Sequence, residues 1–495
     1  MLRDFNFDLD SNLYDRWENA TIDEDWKKLS TPKGYDFLFP YQKDAMRYSK
    51  YFNDRILLTM SMGTGKSVTS LSIMDKRNQF PVVIVPPSTI KEGWKREYYK
   101  FINKDHRIKT IESSKEMIDY HGEYDIFIIN YELLARNIDK VEEGKKIKFI
   151  PNDTLIEFKS NNVVFGILDE IHRIKNPESK TSNAIKYLLD STCYILALTG
   201  TPILSSSKDV FMVLNLLYPD MFNSYYRFCN RFCHVKVYKG QRDFYGARNS
   251  SELNNLLVNN GMFRITKEQS GKVANKPLVS VLPLMMKEDT EYKRLEGLEC
   301  DDFGAKLKKE AWNQKKEHFF SRLDDMLEES LDKFVIFAHN KIVIDDIMEK
   351  YPKISLKIDG STSTKGATRQ NLVDEFTASK THRLFVVSIQ AGGVGLDGLQ
   401  YASSTVIFVQ WSWVFADIDQ AVSRIHRTGQ KEQVTVYHFP AMDTIEEVFM
   451  DVLDKKAKIS GKIVDNKDLS EKEMLGKILK ISKKRAERRR NIGKI

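Results

Sequence analysis

Three short strings hold residue types that can do phosphate chemistry: Ser61-Met62-Gly63-Thr64-Gly65-Lys66-Ser67, Asp169-Glu170-Ile171-His172, and the run from Gln420 to Gln430. In the first, the glycines let backbone amides approach phosphates, and a helix starting there adds its positive end. Lys66 would supply charge to the β and γ phosphates of a nucleotide, and the Ser67 hydroxyl would ligate Mg²⁺. In the second, Asp169 would hold the metal while Glu170 orients and deprotonates an attacking water. In the third, Arg424 and Arg427 stand three apart, hence on one face if the run is helical. Two such arginines aimed at a γ phosphate would neutralise charge as it develops in the transition state.

These residues need a scaffold that presents them at one edge. The first third of the chain alternates apolar strand-like runs with helical stretches, the pattern of a parallel α/β sheet. Strands are expected over Arg55–Thr59, Pro81–Val85, Asp125–Ile129, Val163–Leu168 and Tyr194–Leu198. The glycine loop follows the first of these and precedes a helical pattern over Val68–Lys76; the acid pair follows the fourth. Ligands of such sheets collect at the carboxyl ends of the strands, where both strings fall. Residues 203–330, rich in aromatic, Asn and charged side chains, break the rhythm and read as mostly helical. A second α/β region begins at Lys333 and runs through Leu384–Ser388, Ser404–Val409 and Val434–His438.

A chain of 495 residues is too long for one core and suits two or more domains. Its 41% hydrophobic and 29% charged content reads as soluble and globular. No apolar run approaches a membrane span, and the first residues lack a secretory apolar segment. Cys193, Cys229, Cys233 and Cys300 are too sparse for a disulfide framework. Cys229, Cys233 and His234 have no second ligand pair at zinc-like spacing, so reduced thiols in a helical segment are expected, with a cytoplasmic or nuclear setting. The net charge of +8 is uneven: residues 1–36 hold 9 acidic and 5 basic side chains, whereas residues 480–495 hold 8 basic and 1 acidic. The basic end reads equally as a phosphate-binding tail or as a solvated helix end or localisation-like cluster.

With these residues in place, the chain resembles the SWI/SNF-like ATPases of helicase superfamily 2 over roughly residues 37–440. Leu38-Phe39-Pro40-Tyr41-Gln42 is similar to the adenine-reading Q motif, and Val85-Pro86-Pro87-Ser88 with Trp94 to motif Ia. Ile129-Asn130-Tyr131-Glu132 resembles the family's Thr-Tyr-Glu segment. The most diagnostic stretch is Asp169 to Asn176, and Leu198-Thr199-Gly200-Thr201-Pro202 resembles motif III. Tyr225 to Cys233 and Phe263 to Lys267 resemble landmarks of a helical protrusion. Phe334 to Phe337 is similar to motif IV, Ile358 to Thr362 to its adjoining loop, Ala391 to Asp397 to motif V, and Gln420 to Gln430 to motif VI. Several positions depart from the pattern: Phe39, Ile171, Phe415, Ser423, and Asp397 where Asn is common. None removes a catalytic group.

The resemblance implies two tandem RecA-like lobes, α/β parallel sheets with flanking helices, and helical insertions between motifs III and IV. The expected division is an acidic, aromatic extension (1–36), lobe 1 (37–268, protrusion about 203–262), lobe 2 (269–445, insertion about 288–330), and a C-terminal helix and basic tail (446–495). It implies ATP and Mg²⁺ as cofactors, with Gln42, Met62, Gly63, Thr64, Gly65, Lys66, Ser67, Gly395 and Asp397 around the nucleotide and Ser67 and Asp169 on the metal. His172, Thr199, Thr201 and Gln420 would couple hydrolysis to movement. Ser88, Thr201, Gly360, Ser361, Ser388 and Gly393 would meet DNA phosphates, contacts that need no base sequence.

The expected activity is ATP-driven translocation along double-stranded or branched DNA by a monomeric motor. One alternative is a superfamily 2 helicase unwinding or branch-migrating forked DNA; another is a motor serving a protein partner such as RNA polymerase. Residues 1–36 (Phe5, Phe7, Tyr14, Trp17, Trp26) read either as a docking or inhibitory arm or as a helix packed on lobe 1. The size is closer to bacterial, viral or phage members than to the large eukaryotic engines.

Overall fold

The computed structural model of the chain describes residues 25–442, 444 and 446, apart from 144–145, 201–205, 239–240, 272–276, 288–289, 297–302, 364–367, 390–395 and 411–414. The described chain divides between Ser270 and Gly271 into two compact units. Each is an α/β lobe of the RecA-like kind, with one parallel sheet and helices between its strands.

Lobe 1 carries β1 (Arg55–Met60), β2 (Val82–Val85), β3 (Ile108–Thr110), β4 (Ile126–Ile128), and the antiparallel hairpin β5 (Ile138–Glu143) with β6 (Lys146–Pro151). It continues with β7 (Phe165–Asp169), β8 (Tyr194–Leu198), a second hairpin of β9 (His234–Tyr238) and β10 (Gln241–Tyr245), and β11 (Met262–Ile265). The main sheet runs β11-β1-β8-β7-β2-β4-β3. Its central strands are buried on both faces, which explains their unbroken apolar runs. Leu57 packs into one core while Ile56 and Leu58 pack into the other on the opposite face. Truncating any one of these to Ala costs about 2–5 kcal/mol.

The order of strands builds the site. β1, β8 and β7 are neighbours, paired Leu58 to Leu198 and Leu168 to Ala197. Their carboxyl ends therefore deliver the glycine loop, Thr199 and the Asp169-Glu170 pair side by side. The described part of the middle region is mostly helical, as expected, and adds a few short strands that the sequence does not single out. It contains the β9–β10 hairpin, and β11 returns to lobe 1 as the edge strand beside β1. Short strands alternating with charged side chains carry too little apolar run to be recognised. Trp26 packs on lobe 1, edge-on to Tyr48 and Phe263 at ring separations of 5.5 and 6.0 Å.

Lobe 2 carries β12 (Leu278–Val281), β13 (Phe334–Ala338), β14 (Ser355–Ile358), β15 (Leu384–Ser388), β16 (Thr405–Phe408) and β17 (Thr435–His438), in the order β12-β17-β16-β13-β15-β14. The long helix Phe303–Glu329 sends Trp312, Phe319 and Leu323 into its core. Lys315 on the same helix is fully buried. Its ammonium donates to the carbonyls of Val409 and Phe439 at 2.8 and 2.7 Å and to Glu446 Oε2 at 2.6 Å. Glu446 is thus part of the lobe 2 core, although the expected boundary sets it outside. Cys229 and Cys233 are buried free thiols at the end of the helix Tyr225–Phe232, and no metal-binding cluster occurs among the described residues. Nor is any described helix long and apolar enough to cross a membrane.

Candidate active site

The loop after β1 turns through Gly63 and Gly65, both with positive φ, into the helix Lys66–Arg77. Gly65 has φ +82°, and a Cβ there would lie 2.3 Å from Gln42 Nε2, so a side chain would strain the backbone and displace the Gln42 amide. Gln42, buried, donates from Nε2 to the Thr64 carbonyl at 3.0 Å and accepts the Phe39 N–H through Oε1 at 2.9 Å. Tyr41 adds a hydroxyl bond to the same Thr64 carbonyl at 2.9 Å. The Q-motif segment thereby holds the loop's backbone in shape. Thr64 closes the turn internally, donating from Oγ1 to the Ser61 carbonyl at 2.6 Å. Lys66 is buried and donates to the Met60 carbonyl at 2.9 Å. Met62 and Lys66 both flank Gly200, 3.3 and 3.8 Å from where a Cβ on it would stand. Ser67, half-buried, sits in the first turn of the helix.

Asp169 ends β7 and Glu170 follows it with φ 51° and ψ 52°, a left-handed conformation that costs a non-glycine residue about 1–2 kcal/mol. Both carboxylates are buried. Asp169 Oδ2 accepts the Trp94 indole N–H at 3.0 Å, Oδ1 accepts the Glu170 amide at 2.9 Å, and its carbonyl accepts the Tyr131 hydroxyl at 2.8 Å. Burial, and then the neighbouring Glu170 carboxylate, push the Asp169 carboxyl up to about 6, against the opposing pull of Lys66 and the Trp94 bond. The buried Asp169 carboxylate and the Ser67 hydroxyl are oxygen donors of the kind Mg²⁺ takes, while the Lys66 ammonium can ligate no metal and is left for phosphate oxygens. His172 Nδ1 lies 3.4 Å from Glu170 Oε2 and 3.2 Å from Thr199 Oγ1. It links Glu170 to Thr199 across the ends of adjacent strands. Arg173 pairs with Glu132 at 2.7 Å, tying the acid segment to the helix Tyr131–Arg136.

In lobe 2, the helix Phe415–Val422 holds the buried Gln420 but ends before the arginines. Arg424 and Arg427 lie in consecutive turns that finish at Gly429, φ +98°, so they do not share a helical face as expected. The cause is a tightening of the chain: the Arg424 and Ile425 amides bond to carbonyls three residues back. Arg427 Nη1 pairs with Asp397 Oδ1 at 3.0 Å. Ser88 follows β2, Ser388 ends β15, and Gly360 and Ser361 follow β14, so each lies at the carboxyl edge of its own sheet. Ser361 turns both its amide and its hydroxyl onto Asp359 Oδ1, at 2.8 and 2.5 Å. Those bonds hold the Asp359 carboxyl down at about 2. In that loop Gly360 is exposed, with open space where a Cβ would stand. Thr201, Gly393, Gly395, most of residues 1–36 and the basic tail lie outside the described residues.

Trp94 and Tyr131 stand at motif positions to which the sequence assigns no role; nothing local signals their bonds to Asp169, 75 and 38 residues away.

The sequence matches the SNF2-related domain over residues 41–334 and the helicase conserved C-terminal domain over residues 318–429. It is 26% identical over 444 residues to a Xenopus laevis SWI/SNF-related matrix-associated actin-dependent regulator of chromatin subfamily A-like protein 1, covering 86% of this chain and 44% of that protein. It is 26% identical over 457 residues to the Homo sapiens DNA annealing helicase and endonuclease ZRANB3, covering 87% of this chain and 40% of that protein. The chain thus spans less than half the length of these two relatives. Both are animal proteins and lend nothing to the expected bacterial, viral or phage provenance. Among solved structures, it is similar to a Sulfolobus solfataricus SWI2/SNF2 ATPase core in complex with dsDNA, at 21% identity and a TM-score of 0.40, covering 88% of this chain and 95% of that one. With a matching domain over more than half its length, the chain belongs to the SNF2-related family of helicase-like ATPases.

Proposed function

We propose that the chain hydrolyses ATP to drive translocation along double-stranded DNA. The observation that carries this reading is the line Glu170–His172–Thr199 beside Lys66, at 3.4 and 3.2 Å, on neighbouring strands of one sheet. Lys66 and the loop amides would take the phosphates, and Glu170 would take a proton from the attacking water. His172 would pass the state of Glu170 to motif III through Thr199. Bound Mg²⁺, held by Ser67 and Asp169, would supply positive charge to the phosphate oxygens. Arg424 and Arg427 would add charge from lobe 2, where Gln420, Gly395 and Asp397 also lie. DNA would be gripped through phosphates at Ser88, Thr201, Gly360, Ser388 and Gly393, with Ser361 shaping its loop.

Displacement of a third strand from a triplex tests the reading. ATP-dependent displacement without unwinding of a blunt duplex is the expected result; no displacement under conditions that support hydrolysis would sink it. A second reading, action on forked or separated strands, draws support from the relative named as an annealing helicase. Faster ATP turnover on forks than on plain duplex would favour it.

A further inference from the structure

We propose that Asp397 is a positioning residue that sets the reach of Arg427. The proposal rests on the reading of Arg427 as the arginine that meets the nucleotide's phosphate. Asp397 is itself held rigidly. Its N–H donates to Gln370 Oε1 at 3.3 Å and its carbonyl accepts Gln370 Nε2 at 2.6 Å, so one side-chain amide clamps both backbone groups. Gln400 Nε2 approaches the carboxylate oxygen at 3.5 Å, and Gln400 Oε1 accepts the Gly398 amide at 3.1 Å. Gln370 rides on the helix Thr368–Ala378, which is rooted in the core by Val373 and Phe376.

Arg427 is rooted on its own side. Ile425 and His426 beside it are buried, and Gln430 Nε2 donates to the Ser403 carbonyl at 2.9 Å. Gly429 turns where a Cβ would strike the Tyr401 ring at 3.0 Å. The ion pair at 3.0 Å therefore bridges two fixed segments of lobe 2. It is made through Nη1 and uses one corner of a five-donor fork, leaving the remaining donors for a phosphate. A free arginine side chain must give up rotamer freedom to reach its target; one already oriented loses less. Asparagine would present the same Oδ1 acceptor, so Asp397→Asn separates the part played by the oxygen from the part played by the charge.

The Asp397 side chain is 65% exposed, so the contact is worth the modest amount of an exposed pair. The expected loss is about two- to fivefold in maximal DNA-stimulated ATPase rate for Asp397→Ala, with an unchanged KM for ATP. Asp397→Asn should restore most of that rate, and thermal melting should not move in either variant. In the Arg427→Ala background, Asp397→Ala should have no further effect. The proposal is overturned if Asp397→Ala acts equally in both backgrounds with a raised KM, as a direct nucleotide ligand would. It is overturned as well if the rate loss tracks a fall in melting temperature. Should Arg427→Ala alone leave the rate intact, the arginine reading itself fails; should Arg427→Ala abolish turnover while Asp397→Ala changes nothing, only the positioning role fails.

Discussion

The indole of Trp94 donates to the carboxylate of Asp169 at 3.0 Å, across 75 residues of sequence, and both groups are buried. The bond comes from the helix Lys91–Phe101, which follows β2, the strand beside β7. Trp94→Phe keeps most of the apolar packing but removes the donor. A hydrogen bond to a charged group is worth about 1.5–3 kcal/mol, so apparent affinity for Mg²⁺ in the ATPase reaction should fall by roughly ten- to a hundredfold. Metal titration of turnover checks this, and an unchanged midpoint would remove Trp94 from the site.

Lys66 and Glu170 should separate binding from chemistry. Lys66→Ala takes charge away from the phosphates and should weaken nucleotide binding together with hydrolysis. Glu170→Gln should keep nucleotide bound and lose turnover, because only the water is affected. Fluorescent nucleotide binding alongside phosphate release distinguishes them; near-normal release in either variant contradicts the assignment.

Arg427→Ala should slow hydrolysis by a factor on the order of 10² or more while sparing DNA binding. Arg424→Ala should act in the same direction. Steady-state ATPase at saturating DNA, paired with a mobility-shift measurement, is the test. A loss of DNA affinity with hydrolysis intact would reassign both arginines to the DNA.

Removing residues 480–495 should weaken DNA binding most at low salt and flatten its salt dependence. For every DNA phosphate that the shortened chain no longer neutralises, the log–log slope should fall by about 0.9 on duplex DNA. The rate at excess DNA should hold. A collapsed maximal rate with an unchanged slope would show the tail packing on the motor.

Lys315→Met should destabilise the protein by about 3–5 kcal/mol, because Glu446 would be left buried without its cation. Lys315→Met combined with Glu446→Leu should recover much of that loss. Urea unfolding of the two variants decides it, and equal losses would mean that the carboxylate is not what matters.

The chemistry was legible wherever a catalytic string follows a buried apolar run. β8 and β15 fall at Tyr194–Leu198 and Leu384–Ser388, where their residues place them, because strands buried on both faces write unbroken runs. The edges were not legible. β3, β11 and β14 are three or four residues long, and the β5–β6 and β9–β10 hairpins mix charge with apolar side chains. Spacing suggests a helix through Arg424 and Arg427, but the chain tightens into turns once it passes Val422. Pairings such as Lys315 with Glu446, 131 residues apart, leave no local trace at all.

The pairing of β12 with β17 gives the two lobes different histories during synthesis. Every strand of the lobe 1 sheet has been synthesised once Ile265 is made, so that sheet can close early. β12 emerges next, with Leu278 and Val279 more than half exposed even in the finished fold, and its only partner strand among the described residues is one of the last to appear. Until Thr435–His438 and then Glu446 arrive, β12 is an unprotected apolar edge and Lys315 has no carboxylate to enter the core with. Lobe 2 is thus the part of the nascent chain that most needs shielding from its neighbours on a polysome.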